Sequence, residues 1–488
     1  MATIDLSINE KKLENTIKRA KERNIIIPTF AQMKDPQLIP EKIKQELSSI
    51  GLWDINPRNL FRITWKNEPI EEGGGFGGVN YLEIPKSLSG VDTRIIMLVG
   101  KWFPTGAHKV GATFGCLVPR LVTGQFDPVN QKAVWPSTGN FCRGGAYDAT
   151  LLACDSIAIL PEGMSKERFD WLKTVAGEII ATPGSESNVK EIFDKCWDLR
   201  NSGQDIMIFN QFEDFGNYLW HYDITGNAIE EVIKKEIGTQ EKFFGSAFTT
   251  GSAGTIGCGD YLKQKFPTCK IAAGEAVQCP TLTENGFGAH RIEGIGDKHV
   301  PWIHNLRNTD MIIAIDDNAV TNLARLFNEP SGQKYLEKKG IPQEFIEKLP
   351  LFGFSGIANL LMCIKMAKYY ELSGHEIVIS LMTDSMDLYQ SRLKEMHEEY
   401  GEYSEVDAAA DYSRYLLGAG LDYMQELTYP DRRRVHNLKY FTWVEQQGKE
   451  YDEIIAQWYD PDYWIEYQQQ IPEIDKLITD FNERVGLV

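Results

Sequence analysis

Arg94-Ile95-Ile96-Met97-Leu98-Val99, followed closely by Phe103-Pro104-Thr105-Gly106-Ala107-His108-Lys109-Val110-Gly111-Ala112, is the stretch on which the fold turns. The first part is a short unbroken apolar run, which reads as a strand buried on both faces. The second part turns through Pro104 and Gly106 and predicts a helix from near Ala107. The same rhythm recurs outward along the chain. Ala133-Val134-Trp135 precedes Ser137-Thr138-Gly139-Asn140 and a helix; Ser156 to Leu160 precedes Pro161 and a helix through Lys173; Glu178 to Ala181 follows. It resumes at Phe243 to Phe248, Lys270 to Ala273, Met311 to Ala314 and Glu376 to Leu381. Short apolar strands separated by longer helices predict βαβ units and an α/β architecture, its parallel-rich sheets covered by helices and divided into two lobes.

The flanks read differently. From Ile4 to about Leu52 the pattern is helical and charged, punctuated by Pro28, Pro36 and Pro40, and predicts an extension wrapped around the body. The cluster Gly73-Gly74-Gly75-Phe76-Gly77-Gly78 reads as a loop; no strand leads into it, so it does not qualify as a phosphate cradle. Beyond about Gly401 strands disappear, and acid-rich helices carry many aromatics, among them Trp443, Trp458 and Trp464. Such a tail predicts packing against its own body or a sister subunit. The expected division is an N-terminal helical extension over residues 1–52, a large domain over 53–110 and 212–400, a smaller mobile domain over 111–211, and a C-terminal helical extension over 401–488.

Composition narrows the partners. The 488 residues carry 51 basic and 69 acidic side chains, a formal net charge of -18, which opposes binding to phosphate backbones and anionic membranes. No run approaches the ~18 apolar residues of a membrane helix, and Met1 to Asn24 has no signal-peptide core, so a cytoplasmic protein is expected. The eight cysteines are scattered without metal or redox spacing and read as reduced core residues. The eight histidines lack ligand spacing, so no metal site is expected.

In parallel α/β sheets ligands collect where strand ends meet helix N-termini. Four segments hold that position: Phe103 to Ala112 with Lys109; Ser137 to Asn140, whose hydroxyls and amides suit a carboxylate; Thr249-Thr250-Gly251-Ser252-Ala253-Gly254-Thr255-Ile256-Gly257, whose small residues let amides close around a phosphate; and Ser380-Leu381-Met382-Thr383-Asp384-Ser385. The third lacks the Walker lysine, which argues against a nucleoside triphosphate.

In that order and at those separations, from about Val79 to Leu393, the segments resemble the fold-type II enzymes of pyridoxal 5'-phosphate, in the cysteine synthase and cystathionine β-synthase branch of the tryptophan synthase β-like superfamily. Leu160 to Arg168, His221-Tyr222, His290-Arg291-Ile292-Glu293-Gly294-Ile295-Gly296 and Phe354-Ser355-Gly356 extend the likeness. The resemblance implies that Lys109 forms the Schiff base and serves as the α-proton base, that Asn140 bonds the ring hydroxyl, and that Ser137, Thr138, Gly139 and Phe141 grip the substrate carboxylate. It implies that Gly251, Ser252, Ala253, Gly254 and Thr255 bind the phosphate and that Thr383 faces the ring nitrogen, with Asp384 and Ser385 as the alternatives. The Thr105-Gly106-Ala107-His108-Lys109 string is similar to the tryptophan synthase β subunit, where a histidine touches the phosphate, and this resemblance implies that role for His108.

A hydroxyl at the ring nitrogen implies β-elimination giving an aminoacrylate, then β-replacement, on a small β-substituted L-amino acid such as a serine derivative or cysteine. A dehydratase or ammonia-lyase giving a keto acid and ammonia shares the first half; a catalytically silent scaffold relative is the third reading. Phe141 stands where cysteine synthases carry threonine, and Met382 replaces a usual proline. No Cys or His precedes His108, so a haem module has no ligands. A homodimer is implied.

Overall fold

The computed structural model describes residues 3–69, 72–184 and 188–487. Every apolar run named above forms a strand, and together with three short strands they build two sheets: β1 (Tyr81–Glu83), β2 (Arg94–Val99), β3 (Lys132–Pro136), β4 (Ser156–Pro161), β5 (Glu178–Thr182), β6 (Ile206–Ile208), β7 (Lys242–Thr249), β8 (Lys270–Ala276), β9 (Met311–Ile315), β10 (Glu376–Met382) and β11 (Met424–Glu426). The larger sheet has seven strands in the order β1-β2-β10-β7-β8-β9-β11, the smaller four in the order β5-β4-β3-β6. In the larger sheet the five inner strands are parallel and only the edges, β1 on β2 and β11 on β9, are antiparallel. The smaller sheet is parallel throughout. Parallel strands covered on both faces need apolar residues at every position, which is why continuous rather than alternating runs mark them.

β11 corrects one expectation, since a strand does occur beyond residue 401. Its three residues are half-buried to exposed, too few and too polar for a strand signal of their own. It is made by the free edge of β9, against which Met424 pairs with Ile313 and Glu426 with Met311. β1 and β6 escaped notice for the same reason of length.

The two extensions meet each other. Gln470 donates to the carbonyl of Ile4 (2.8 Å) and accepts from its amide (2.9 Å), while Asp475 accepts the amides of Phe30 (2.6 Å) and Ala31 (3.0 Å). Much of the C-terminal aromatic surface packs on its own body: Tyr467 stacks on Phe215 with centroids 3.6 Å apart, and Trp443, Tyr463 and Trp464 are buried. Tyr429, Phe441, Tyr451 and Tyr459 remain exposed. Among the described residues no single helix is long and apolar enough to cross a membrane.

Candidate active site

The carboxyl ends of β2 and β10 lie side by side, because Gly100 donates to the carbonyl of Met382 (2.7 Å) and His108 to that of Thr383 (3.2 Å). Between Val99 and the next helix the chain reverses through Thr105, at φ 70°, and Gly106, at φ 71°. Ala107 then pairs as an isolated bridge with Asp384 and stays extended. This tether moves the helix start two residues beyond the expected Ala107, to Lys109 (Lys109–Val122). Lys109 therefore sits on the first turn with its side chain directed across the strand ends: Nζ donates to Ser252 Oγ (2.8 Å) and Gln211 Oε1 (3.1 Å) and lies 6.0 Å from the Phe141 ring centre.

A cleft of about 650 Å³ opens at this point. His108, Lys109, Ser137, Thr138, Asn140 and Phe141 line it on the β2 and β3 side. Gly251, Ser252, Ala253 and Thr255 line it at the end of β7, and Thr383 at the end of β10. Two expected residues stand behind the wall. A Cβ on Gly139 would come within 2.4 Å of the Arg168 guanidinium, and one on Gly254 within 2.1 Å of Asn217 Oδ1, so both positions hold loop backbone against a second layer of side chains.

The loop after β7 is built to accept an anion. Among the described residues, the amides of Gly251, Ser252, Ala253 and Thr255 have no hydrogen-bond partner, and they open the Ile256–Lys265 helix, whose dipole adds positive potential. Ala253 holds φ 60° to complete the curl. Backbone donors left unpaired at this depth are costly unless a ligand takes them. On the opposite wall Asn140 Oδ1 is buried without a partner. An amine, a ring of free amides and an unpartnered amide oxygen converging on one cleft suit a small phosphorylated aldehyde.

Thr383 and its two neighbours separate clearly. Thr383 lines the cleft and shares a short hydrogen bond with Ser355. Asp384 is fully buried and turned away, where Oδ2 accepts from Asn140 Nδ2 (2.6 Å) and from the Tyr389 hydroxyl (2.6 Å). Burial raises its pKa; Tyr389, Arg168 and Asn140 pull the other way. Ser385 is buried as well and stands outside the cleft lining.

His108 lines the cleft as an uncharged ring. Its ring stacks on Trp65 (5.8 Å) and meets His221 edge-on (4.9 Å), and neither nitrogen has a hydrogen-bond partner. Burial, reinforced by Lys109, drives its pKa down to about 3, so the ring is neutral near pH 7.

Several lining residues had escaped the sequence reading. Gln211 bonds both Lys109 and Ser137, the latter at 3.2 Å. Asp297 lines the wall one residue after the Gly296 at which the motif was cut off. Gln211 follows β6, a strand too short to announce itself, and Asp297 lies in a loop after no strand, so only the fold brings them in.

No model of a known protein family matches the chain. It is 29% identical over 293 residues to a probable cysteine synthase of Bacillus subtilis, covering 59% of this chain and 85% of that one. It is 28% identical over 269 residues to the cystathionine β-synthase of Rattus norvegicus, covering 53% of this chain and 43% of that one. Among solved structures, O-acetylserine sulfhydrylase isoform 3 of Entamoeba histolytica superposes with a TM-score of 0.56 at 23% identity, over 70% of this chain and 94% of that one.

Proposed function

From the premise that the chain belongs to the cysteine synthase and cystathionine β-synthase branch of the fold-type II pyridoxal phosphate enzymes, we propose that it catalyses β-elimination and β-replacement on a small β-substituted L-amino acid, a serine derivative or cysteine. The observation that carries the reading is the convergence of Lys109 Nζ, 2.8 Å from Ser252, with the unpartnered amides of the loop between Gly251 and Thr255. When bound, pyridoxal phosphate supplies an electrophilic carbon and a ring that takes up the electron pair released at the substrate Cα.

This chain's residues do the rest. Lys109 would hold the cofactor's aldehyde carbon and would take the substrate Cα proton at Nζ, the nitrogen that Ser252 and Gln211 keep at one point. The amides from Gly251 to Thr255 hold the phosphate, with Gly254 allowing the backbone to press against Asn217. Asn140 bonds the ring hydroxyl, and Thr383 offers a neutral hydroxyl to the ring nitrogen. Ser137, Thr138 and the Phe141 amide take the substrate carboxylate at the start of the Asn140–Leu151 helix. Residues 111–211 form the smaller unit, which closes over the substrate and excludes water. A cytosolic homodimer fits this reading; the eight cysteines are free and buried.

Reconstitution with pyridoxal phosphate, borohydride reduction and peptide mapping test the proposal. The label is expected on Lys109, and Lys109→Ala is expected to abolish it along with turnover of O-acetyl-L-serine plus thiol. Label on another lysine, or none, overturns the reading. Pyruvate and ammonia as the only products in the presence of thiol would mark a lyase instead.

A further inference from the structure

Among the described residues, Asp297 is the one carboxylate that lines the cleft. It is buried, and its two oxygens are used unequally. Oδ1 accepts the Lys298 amide (2.7 Å) and faces His299 Nδ1 (3.0 Å); Oδ2 has no partner in the protein. The loop that carries it is pinned to the anion cradle by Gly296, whose amide donates to the Thr250 carbonyl (2.9 Å). A bare oxygen on a buried carboxylate is unfavourable until a donor, from the protein or from a ligand in the cleft, reaches it.

His299 is held as a fixed partner. Its ring lies 4.7 Å from Phe212, 5.5 Å from Phe193 and 5.4 Å from Trp443, and Nε2 is buried and unbonded. Trp443 is itself fixed by an indole hydrogen bond to the Val300 carbonyl (2.8 Å). Three aromatic walls, one from the C-terminal extension, thus leave Nδ1 one direction in which to point, toward Asp297. Facing a carboxylate oxygen, Nδ1 carries the proton. Burial also raises the Asp297 pKa, against the pull of His299.

Resting on the β-replacement reading of the same cleft, we propose that Asp297, oriented by His299, is the acid and base of the leaving group and the nucleophile, and that it selects a nucleophile arriving protonated and uncharged. In elimination the Cβ bond to the leaving group breaks with its electron pair going to that group, which takes the proton from Oδ2. In addition the nucleophile forms a bond to Cβ and its proton passes to Oδ2. Lys109 Nζ returns the Cα proton, Asp297 ends as it began, and no oxidant or reductant is needed. During addition the carboxylate faces the incoming group, so an anion such as hydrosulfide is repelled while a neutral thiol, amine or hydroxyl is activated.

Asp297→Asn in the pyridoxal phosphate holoenzyme tests this, with O-acetyl-L-serine as donor and two nucleophiles compared at neutral pH: mercaptoethanol, which is protonated, and azide, which is an anion. The acetate leaving group needs no proton, so with this donor Asp297 enters addition as the carboxylate and afterwards releases to solvent the proton it gains, which isolates the addition step. Turnover with mercaptoethanol is expected to fall about 100-fold, while the azide KM falls or holds, so the two nucleophiles diverge. Cofactor affinity, read from absorption, is expected to match the parent. Equal losses with both nucleophiles, or failure of the variant to bind cofactor, would overturn the role of Asp297 by making it structural. If the unsubstituted protein shows no cofactor absorption, it is the functional reading that falls.

Discussion

Removing Arg168 should loosen the substrate-carboxylate loop without touching the phosphate cradle. Its side chain is fully buried and pairs with Glu293 at 2.7 Å. It also donates to the Thr138 carbonyl (3.1 Å) and to the Tyr389 hydroxyl (3.0 Å), and its guanidinium backs Gly139 closely enough that a Cβ there would overlap it. Breaking a buried pair costs about 3–5 kcal/mol when the other charge is stranded. Glu293 keeps Arg392 at 2.5 Å, so the fold of Arg168→Met should lose about 3 kcal/mol, the lower end of that range. The loop itself loses a charged-donor hydrogen bond worth about 1.5–3 kcal/mol. At about 1.4 kcal/mol per tenfold, that is a rise in the amino-acid KM of roughly tenfold to hundredfold. The assay is a substrate titration followed by cofactor absorption, with a cofactor titration as control. Arg168→Lys keeps the charge but not the planar fork, and should fall between parent and Met. A KM within about twofold of the parent in a folded, cofactor-loaded Arg168→Met protein would refute the reasoning, because the loop would then be holding itself.

Three further outcomes are expected. Gly254→Ala drives its Cβ to 2.1 Å from Asn217 Oδ1, and Asn217 cannot swing freely because its Nδ2 is held by the Gln211 carbonyl (2.9 Å) and Ser252 Oγ (3.1 Å). Overpacking of about 1–3 kcal/mol should reach the cradle and weaken cofactor binding about tenfold, measured by absorption titration; an unchanged affinity contradicts the cradle. His304 is buried with its pKa near 3 through burial, then Lys439 and His436. Since an unfolded histidine takes a proton near pH 6.5 and the folded one does not until about 3, the unfolded state binds more protons across that window, and stability there rises with pH by about 1.4 kcal/mol per unit. His304→Gln should remove one proton from the measured slope of stability against pH between about 4 and 6.5. Glu275→Gln should shift the slope the opposite way, because burial raises Glu275 to about 7 in the folded state. Slopes unmoved by either substitution would refute the assignment.

How much of this was legible depended on length and locality. The eight longer strands announced themselves because each has at least five residues around an apolar run, and all but the edge strand β5 are mostly buried; β1, β6 and β11 are three residues each and exist by pairing. Lys109, Asn140, the cradle and Thr383 all follow a strand directly and so could be read from local order. Gln211 and Asp297 could not, since nothing in Gln211-Phe212 or Asp297-Lys298-His299 marks chemistry until Ser137, Lys109 and Thr250 are brought alongside. The register at the end of β10 was equally hidden. Met382-Thr383-Asp384-Ser385 offers three polar side chains in a row, and only the bridge from Ala107 to Asp384 decides which one faces inward.

That bridge has a consequence for the chemistry. Asp384 spends its charge on a buried polar chain: it accepts from Asn140 and Tyr389, Tyr389 accepts from Arg168, Arg168 faces Glu293, and Glu293 faces Arg392. The links lie on different elements around the cleft, so the chain couples the Ser137–Asn140 loop, the end of β10 and the loop between His290 and Asp297. A carboxylate committed in this way is turned from the cleft, and the group left at the cleft wall is the Thr383 hydroxyl, which shares its hydrogen bond with Ser355. On the proposed reading a hydroxyl cannot hold a pyridine nitrogen protonated as a carboxylate does, so electron withdrawal from Cα stays modest and expulsion of a β-substituent is favoured over longer-lived carbanion chemistry. The same aspartate therefore shapes the reaction from outside the cleft, by fixing Asn140 and by leaving the inward position to Thr383.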